Sequence, residues 1–357
     1  MIFAELDYAA TYSEIHDELK DYLLTHFSQV DSGLQGDSWF WIILDGQKVA
    51  IDTFSAMKHQ VKAAAPGPQV QRVIEVLQQN YAVTVYPTPQ PEGHEEPYAV
   101  HTAPTAEFVY TPPASLHGAR QIVVKPNLGY PVGPPVTVSM AVLGRVLAGL
   151  RHHSPQAEIL IVEGVCSKVS FEAIMAKHGV HALLDEGMRL LDADQLDWVE
   201  YPNRSPQPVR FKTLWAPKLL QTVDGCLSVS AFKRTQLKGE SLISASLKNL
   251  YGLMPRAKYK ARSPHSRGQL HRPSVPLVLQ DVYFTLGSFF HGGVVDCTEK
   301  FVSRDWQPDR GDSLPIGQVI WGDDLLAVDK TACLMANEST PSYVTALEHL
   351  RSPRSIP

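Results

Sequence analysis

The sequence predicts an α/β protein: a mostly parallel sheet with flanking helices, preceded by a small N-terminal α+β domain. Three observations predict this. After residue 118, short apolar runs alternate with segments of helical periodicity, a pattern typical of parallel sheets. Before residue 87, an Asp45-Gly46 turn joins two apolar runs into a hairpin between two amphipathic segments. The 357 residues also exceed one ordinary core, which favours two domains.

The N-terminal domain is expected to span residues 1–86. Residues 11–29 and 70–77 each place apolar side chains on one helical face, and a Pro-Gly-Pro break precedes the second segment. Strands are predicted at residues 39–44, 48–54 and 83–86.

Residues 87–117 change in composition, with many prolines among polar residues. Such a stretch is typical of a linker or a surface connection. We therefore place the domain boundary there and expect the α/β domain to cover residues 118–357.

The α/β domain is predicted to contain five strands and four helices. The strands are expected at 121–124, 158–162, 223–229, 294–296 and 319–321, and the helices at about 137–153, 170–178, 326–335 and 343–350. Ligands of open parallel sheets bind beyond the carboxyl ends of the strands. The polar residues at those ends are Lys125, Asn127, Glu163, Asp296, Asp323 and Asp324. Each also has a structural alternative as a turn former or a helix cap.

Residues 246–255 place a Lys-Asn pair, Lys248 and Asn249, with Tyr251 and Gly252 inside an apolar run. Burying such polar side chains costs several kcal/mol, on the order of 2–7, unless each finds a partner. The segment is therefore expected to hold a ligand or to tie the sheet to the loop that follows.

That loop is strongly basic. Between Met254 and Arg272 it contains six Lys or Arg residues and two histidines, His265 and His271, without an acidic residue. Arginine and lysine suit phosphate or carboxylate ligands. A mobile lid would give the same pattern, and so would a solvated surface.

Bulk properties argue against several classes of protein. The net charge of −5 argues against nucleic acid or a membrane surface as a partner, although Tyr259 in the basic loop leaves single-stranded nucleic acid as a weaker alternative. The four cysteines form no CxxC pair, which argues against an iron–sulfur cluster. Residues 1–11 lack the basic residues of a signal peptide, so the expected location is the cytoplasm. The oligomeric state stays open.

Three segments together resemble the domain-of-unknown-function 362 family over about residues 118–336. They are Val123 to Asn127, Leu247 to Gly252 and Gly322 to Asp329, in the order and spacing of that family. Lys233 matches a lysine of the family's Pro-Lys-x-Lys-x-His segment, whose proline falls on Ser230 and whose histidine falls on Thr235. The family's Asp-Pro becomes Asp324-Leu325. Many members carry a ferredoxin module, and this chain resembles the versions without one.

The leading hypothesis is an enzyme that acts on a small anionic metabolite, a carboxylate or phosphate, by acid–base or transfer chemistry at the strand ends. The expected ligand-binding residues are Lys125, Asn127, Lys233, Asn249, Tyr251, Arg256 and His265. The candidate catalytic residues are Lys248, Glu163, Asp324 and Asp329. Asp323 and Asp324 are candidates for a divalent cation, and no other cofactor is indicated. The alternative is a non-catalytic accessory, electron-transfer or maturation protein, as the cluster-bearing family members suggest.

Overall fold

The computed structural model describes residues 1–34, 37–54, 56–90, 98–237, 240–305 and 310–351. The chain divides into two compact units, Met1–Pro97 and Tyr98–Pro357. The predicted fold class is confirmed, since an antiparallel sheet forms the first unit and a mostly parallel sheet with flanking helices forms the second.

The first unit is a six-stranded antiparallel sheet packed on two helices. Its elements are β1 (Ile2–Asp7), α1 (Tyr12–His26), β2 (Val30–Leu34), β3 (Ser38–Leu44), β4 (Gln47–Asp52), β5 (Gln60–Lys62), α2 (Pro68–Gln78) and β6 (Ala82–Gln90). The strand order is β2-β3-β4-β5-β1-β6. The sequence prediction lacks β1, β2 and β5.

Short-range contacts explain why α1, the β3–β4 hairpin and α2 form where the sequence predicts them. Thr11 and Glu14 form a capping box at the start of α1. Asp45 and Gly46 adopt positive φ angles of 50° and 76°, which the tight β3–β4 turn requires. The apolar face of α2 is buried in the core of this unit.

The second unit is built on a sheet of order β10-β9-β8-β13-β15-β16-β7, with β14 paired to β13. Neighbouring strands are parallel from β10 to β15, and β16 and β7 are antiparallel additions. The strands are β7 (Val100–Pro104), β8 (Gln121–Pro126), β9 (Glu158–Glu163), β10 (Met188–Asp192), β13 (Gly225–Leu237), β14 (Glu240–Ser244), β15 (Phe290–Ser303) and β16 (Gly311–Gly322). A separate hairpin pairs β11 (Trp198–Pro202) with β12 (Thr213–Pro217).

Helices cover both faces of this sheet. They are α3 (Met140–His153), α4 (Phe171–His178), α5 (Ser246–Asn249), α6 (Arg256–Tyr259), α7 (Val275–Leu286), α8 (Leu325–Met335) and α9 (Ser342–Arg351). Helices α3 and α4 pack on one face, and α7, α8 and α9 contribute to the clusters on the other. Among the described residues, no helix has both the length and the apolar character needed to cross a bilayer.

The predicted linker, residues 87–117, carries ordered structure in its described part. Strand β6 continues to Gln90, and β7 pairs with β16 as the edge strand of the second sheet. Phe108 and Tyr110 are buried. Proline is tolerated in an edge strand because one side of that strand needs no ladder hydrogen bonds. Residues 91–97 lie outside the described part.

Other elements of the second unit also differ from the sequence prediction, among them β13 and α7. Strand β13, expected at 223–229, runs on to Leu237 and pairs with β14. Helix α7 is missing from the prediction because its residues are apolar nearly all round, which hides the helical period. The β13 extension contributes Lys233 and Thr235 to one wall of a cavity.

Candidate functional site

A cavity of about 490 Å³ opens at the carboxyl ends of strands β8, β9 and β13. We call it the lysine cavity because Lys125, Lys233 and Lys248 line it. Open α/β sheets bind their ligands at this edge. The described lining residues include four basic side chains, these three lysines and Arg267, against one carboxylate, Glu163.

Lys125 and Glu163 form a buried ion pair. Lys125 Nζ lies 2.6 Å from Glu163 Oε1, and the side chains are 1% and 3% exposed. The ammonium also donates to the Pro126 carbonyl at 2.6 Å and to Asn249 Oδ1 at 3.0 Å. Burial lowers the pKa of Lys125, and the carboxylate of Glu163 opposes that shift. The three N–H donors of this lysine therefore all have partners within the protein.

Gly252, the last residue of the Lys-Asn-Leu-Tyr-Gly segment, packs directly over this ion pair. A Cβ atom at Gly252 would lie 2.5 Å from Glu163 Oε1 and 2.5 Å from Lys125 Cε. A side chain at this position would therefore displace the ion pair, which explains why glycine occupies it.

The two side chains of the Lys-Asn pair have different environments. Both residues lie in the one-turn helix α5, where successive side chains point about 100° apart. Asn249 turns toward the sheet, and its Nδ2 donates to the Lys125 carbonyl at 2.7 Å and to Ser228 Oγ at 3.1 Å. Asn249 thus ties α5 to strands β8 and β13.

Lys248 lines the cavity, and no described carboxylate pairs with it. Its Nζ lies 5.5 Å from the centroid of the Tyr251 ring. Within the described part of the chain, this Nζ has neither a hydrogen-bond acceptor nor a carboxylate partner. Burial lowers the pKa of Lys248. A cation that is poorly solvated and unpaired favours the binding of an anion beside it.

Lys233 reaches the cavity from the part of β13 that extends beyond β8. Its Nζ donates to Asn127 Oδ1 and, at 3.3 Å, to the Ala231 carbonyl. Neither acceptor carries a charge. Burial, together with the charge of Lys248, lowers the pKa of Lys233 to about 7. Near neutral pH, Lys233 can therefore both accept and release a proton.

A family model matches residues 122–334, a stretch that holds all three cavity lysines. It describes DUF362, a domain of unknown function, and covers more than half of the chain. The chain belongs to the DUF362 family. The resemblance found in the three sequence motifs is confirmed, while no curated protein matches the chain. The family description names no reaction, so the chemistry of the cavity has to indicate the function.

The basic loop of this DUF362 protein is anchored at several points. Arg256 Nε lies 2.6 Å from Asp194 Oδ2 and does not line the cavity. Arg267, which is 5% exposed, contacts the same carboxylate at 3.5 Å and donates to two backbone carbonyls just after β9. Lys258 Nζ lies 3.8 Å from the centroid of the Trp215 ring. These contacts fix the loop to the sheet edge, and anion binding by Arg256 stays a prediction.

His271 brings an uncharged imidazole to the cavity of the DUF362 domain. Its Nδ1 lies 3.3 Å from the Arg267 carbonyl, and Nδ1 must carry the proton because a carbonyl can only accept. Burial and the charge of Lys248 lower the pKa of His271 to about 4. His265, the histidine that the sequence prediction selected, is absent from the described cavity lining.

Three further cavity residues of this DUF362 chain, Cys166, Thr235 and Phe301, are missing from the sequence prediction. Cys166 follows the end of β9, so its place after a strand end is a signal that could have found it. Cys166 is exposed, its Sγ donates to the Gly129 carbonyl at 3.3 Å, and desolvation by the surrounding protein raises the pKa of the thiol. Thr235 lies in the extended end of β13, at the position that matches the histidine of the family's segment, and Phe301 lies in the extended end of β15, which no sequence signal marks.

The candidate catalytic aspartates lie outside the described cavity lining. Asp324 caps helix α8 by accepting the Ala327 N–H at 2.8 Å, and its other oxygen lies 2.7 Å from Arg351 Nη1. Asp329 accepts the Ser246 N–H at 2.7 Å, and burial raises its pKa to about 6. In both cases, the carboxylate holds backbone or side-chain structure together.

Asp323, the remaining candidate for a divalent cation, is exposed. Among the described residues, no group of three or more His, Cys, Asp or Glu side chains is placed to hold a metal ion. A cation bound by Asp323 and Asp324 therefore stays a prediction.

Proposed function

We propose that this chain is an enzyme that binds a small anionic metabolite, a carboxylate or a phosphate, in the lysine cavity and carries out acid–base chemistry on it. The observation that carries the proposal is that Lys233 and Lys248 line one cavity and that neither has a carboxylate partner among the described residues.

An anionic ligand would supply the missing counter-charge. Glu163 is bound to Lys125 and to two backbone N–H groups, so it is not available to the other two lysines. A charge-assisted hydrogen bond contributes about 1.5–3 kcal/mol in such a site. Lys248 has no acceptor among the described residues, and Lys233 gains an unused donor when it is protonated, so the two lysines favour a carboxylate or phosphate ligand over a neutral one.

Lys233 is the residue we propose for proton transfer. A general acid or base works best when its pKa lies near the working pH, and the pKa of Lys233 is about 7. The carboxylates of Glu163, Asp324 and Asp329 are occupied by other contacts, as described above. The same cavity would also suit a protein that binds an anion without converting it, and the pKa of Lys233 is what favours an enzyme.

Isothermal titration calorimetry with inorganic phosphate and with succinate tests the binding step. The wild-type chain is expected to bind at least one of these probes. Lys248→Met keeps the length of the side chain and removes its charge, so we expect affinity to fall at least about tenfold, or about 1.4 kcal/mol.

Lys258→Met is the matched control, because Lys258 lies in the basic loop against Trp215 and outside the described cavity lining. It is expected to bind like the wild type. The proposal would be contradicted if the wild type bound neither probe, or if Lys248→Met bound as tightly as the wild type.

A further inference from the structure

Hydrogen-bond partners distinguish the three lysines of the cavity. Lys125 Nζ has three acceptors, one of them a carboxylate, as an ammonium requires. Lys233 Nζ has two acceptors among the described residues, and both are neutral oxygens. A neutral amine has two N–H donors and one lone pair. The surroundings of Lys233 therefore match the neutral amine and leave its lone pair free.

The wall around Lys233 also favours the neutral form. In the sheet register, Lys233 lies between Ser244 of β14 and Phe301 of β15, and both of these uncharged residues line the cavity. The cation of Lys248 lines the same cavity, and two ammonium groups close together repel each other. One neutral amine and one cation is the arrangement that lowers this repulsion.

Building on the proposed function, we propose that Lys233 forms an imine with a small aldehyde or ketone that carries a carboxylate or phosphate, and that Lys248 binds the anionic group. The substrate class is thus an anionic carbonyl compound. A desolvated lysine next to a second cation is an established way to make an amine nucleophilic at neutral pH.

The lone pair of Lys233 Nζ attacks the carbonyl carbon, and the π electrons of the carbonyl bond move to its oxygen, which takes the proton that Nζ releases. The hydroxyl group of the resulting carbinolamine takes one proton from the solvent and leaves as water, while the remaining lone pair of Nζ forms the carbon–nitrogen double bond. The imine nitrogen keeps its last proton and is therefore cationic. The anionic group of the substrate, held by Lys248, offsets that new charge.

Reductive trapping tests this proposal on the wild-type chain. The protein is incubated at pH 7 with glyoxylate, an aldehyde that carries a carboxylate, and with cyanoborohydride, and modified lysines are mapped by mass spectrometry. Two exposed lysines in the same digest, Lys258 and Lys330, serve as internal references. Acetaldehyde serves as the uncharged probe.

Lys233 is expected to react with glyoxylate at least about tenfold faster than Lys258 or Lys330, because ordinary lysines are almost fully protonated at pH 7. Phosphate should slow the reaction at Lys233. Lys248→Met should lower the rate with glyoxylate by a larger factor than the rate with acetaldehyde, because it removes the anion-binding charge, whereas the accompanying rise in the pKa of Lys233 slows both reactions alike.

Two negative results would be distinguishable. If glyoxylate displaces phosphate in the calorimeter but Lys233 reacts no faster than Lys258, the imine is excluded and the anion site stands. If phosphate, succinate and glyoxylate all fail to bind, the proposed function fails, and the imine proposal fails with it.

Discussion

Both units of the chain bury a lysine beside a carboxylate, and the second unit also holds a partly buried lysine, Lys248, without one among the described residues. In the first unit, Lys62 Nζ lies 2.5 Å from Asp52 Oδ1, and both side chains are 4% exposed. In the second unit, Lys125 has the same kind of partner in Glu163. Lys248 has none among the described residues. A buried lysine therefore does not by itself mark a binding site, and the distinguishing feature is the missing counter-charge.

The buried histidines of the first unit also have hydrogen-bond partners within the protein. Ser38 Oγ lies 2.6 Å from His16 Nδ1 and 2.6 Å from His59 Nε2. The other nitrogen of His59 lies 2.9 Å from the Tyr8 hydroxyl. This closed network contrasts with the lysine cavity, where donors face a volume of about 490 Å³. This contrast predicts that mutations of the buried polar residues in the first unit lower stability, whereas mutations of Lys233 and Lys248, which have no carboxylate partner among the described residues, weaken ligand binding.

The largest effect is expected for Asp52→Ala. This change leaves the buried ammonium of Lys62 without its carboxylate, so the free energy of unfolding should fall by about 3–5 kcal/mol. Urea unfolding measures it, with the exposed Asp21→Ala on α1 as the matched control. A loss below about 1 kcal/mol would show that the Lys62–Asp52 pair does not stabilise the fold.

Acid should destabilise the first unit through His59. Burial lowers the pKa of His59 from 6.5 to about 4, so the unfolded chain takes up the proton first as pH falls. The neutral imidazole of His59 therefore stabilises the folded state fully above pH 6.5, and this stabilisation is lost progressively as pH falls toward 4. At 1.36 kcal/mol per pKa unit, the loss in the free energy of unfolding is about 3 kcal/mol.

Urea unfolding at a series of pH values checks this slope. His59→Gln should flatten it, while His26→Gln, at an exposed site near the end of α1, should leave it as in the wild type. An unchanged slope in His59→Gln would mean that other groups cause the acid sensitivity.

The smallest stability effect is expected for Lys248→Met. Removing an unpaired cation from a poorly solvated site should leave the free energy of unfolding unchanged or raise it by about 1 kcal/mol. Urea unfolding in a buffer without phosphate or carboxylate measures the change. A clear loss of stability, of about 2 kcal/mol or more, would indicate that Lys248 holds the fold together as Lys62 does.

The position of the cavity could be predicted from the sequence to a useful extent. The alternation of strands and helices indicates a parallel sheet, and the rule for strand ends then selects Lys125 and Glu163, which do meet in one cavity. The polar pair in an apolar run selects Lys248 and Asn249, which line the same cavity. These inferences need only local patterns and one topological rule.

The different roles of these residues could not be predicted in the same way. Asn249 and Lys248 are adjacent, and only the orientation of α5 decides which one faces the sheet. Asp329 looks like a catalytic carboxylate until its contact with Ser246, 83 residues away, is known. The extension of β13 that carries Lys233 depends on pairing with β14 and β15, which the local sequence does not encode.

The most direct test is to measure the pKa of Lys233 by NMR on lysine-labelled protein, with and without inorganic phosphate, using Lys233→Arg to assign the signal. We expect a pKa of about 7 without phosphate and a higher value when phosphate is bound, because an anion favours the charged amine. A pKa near 10.5 that phosphate does not change would contradict it.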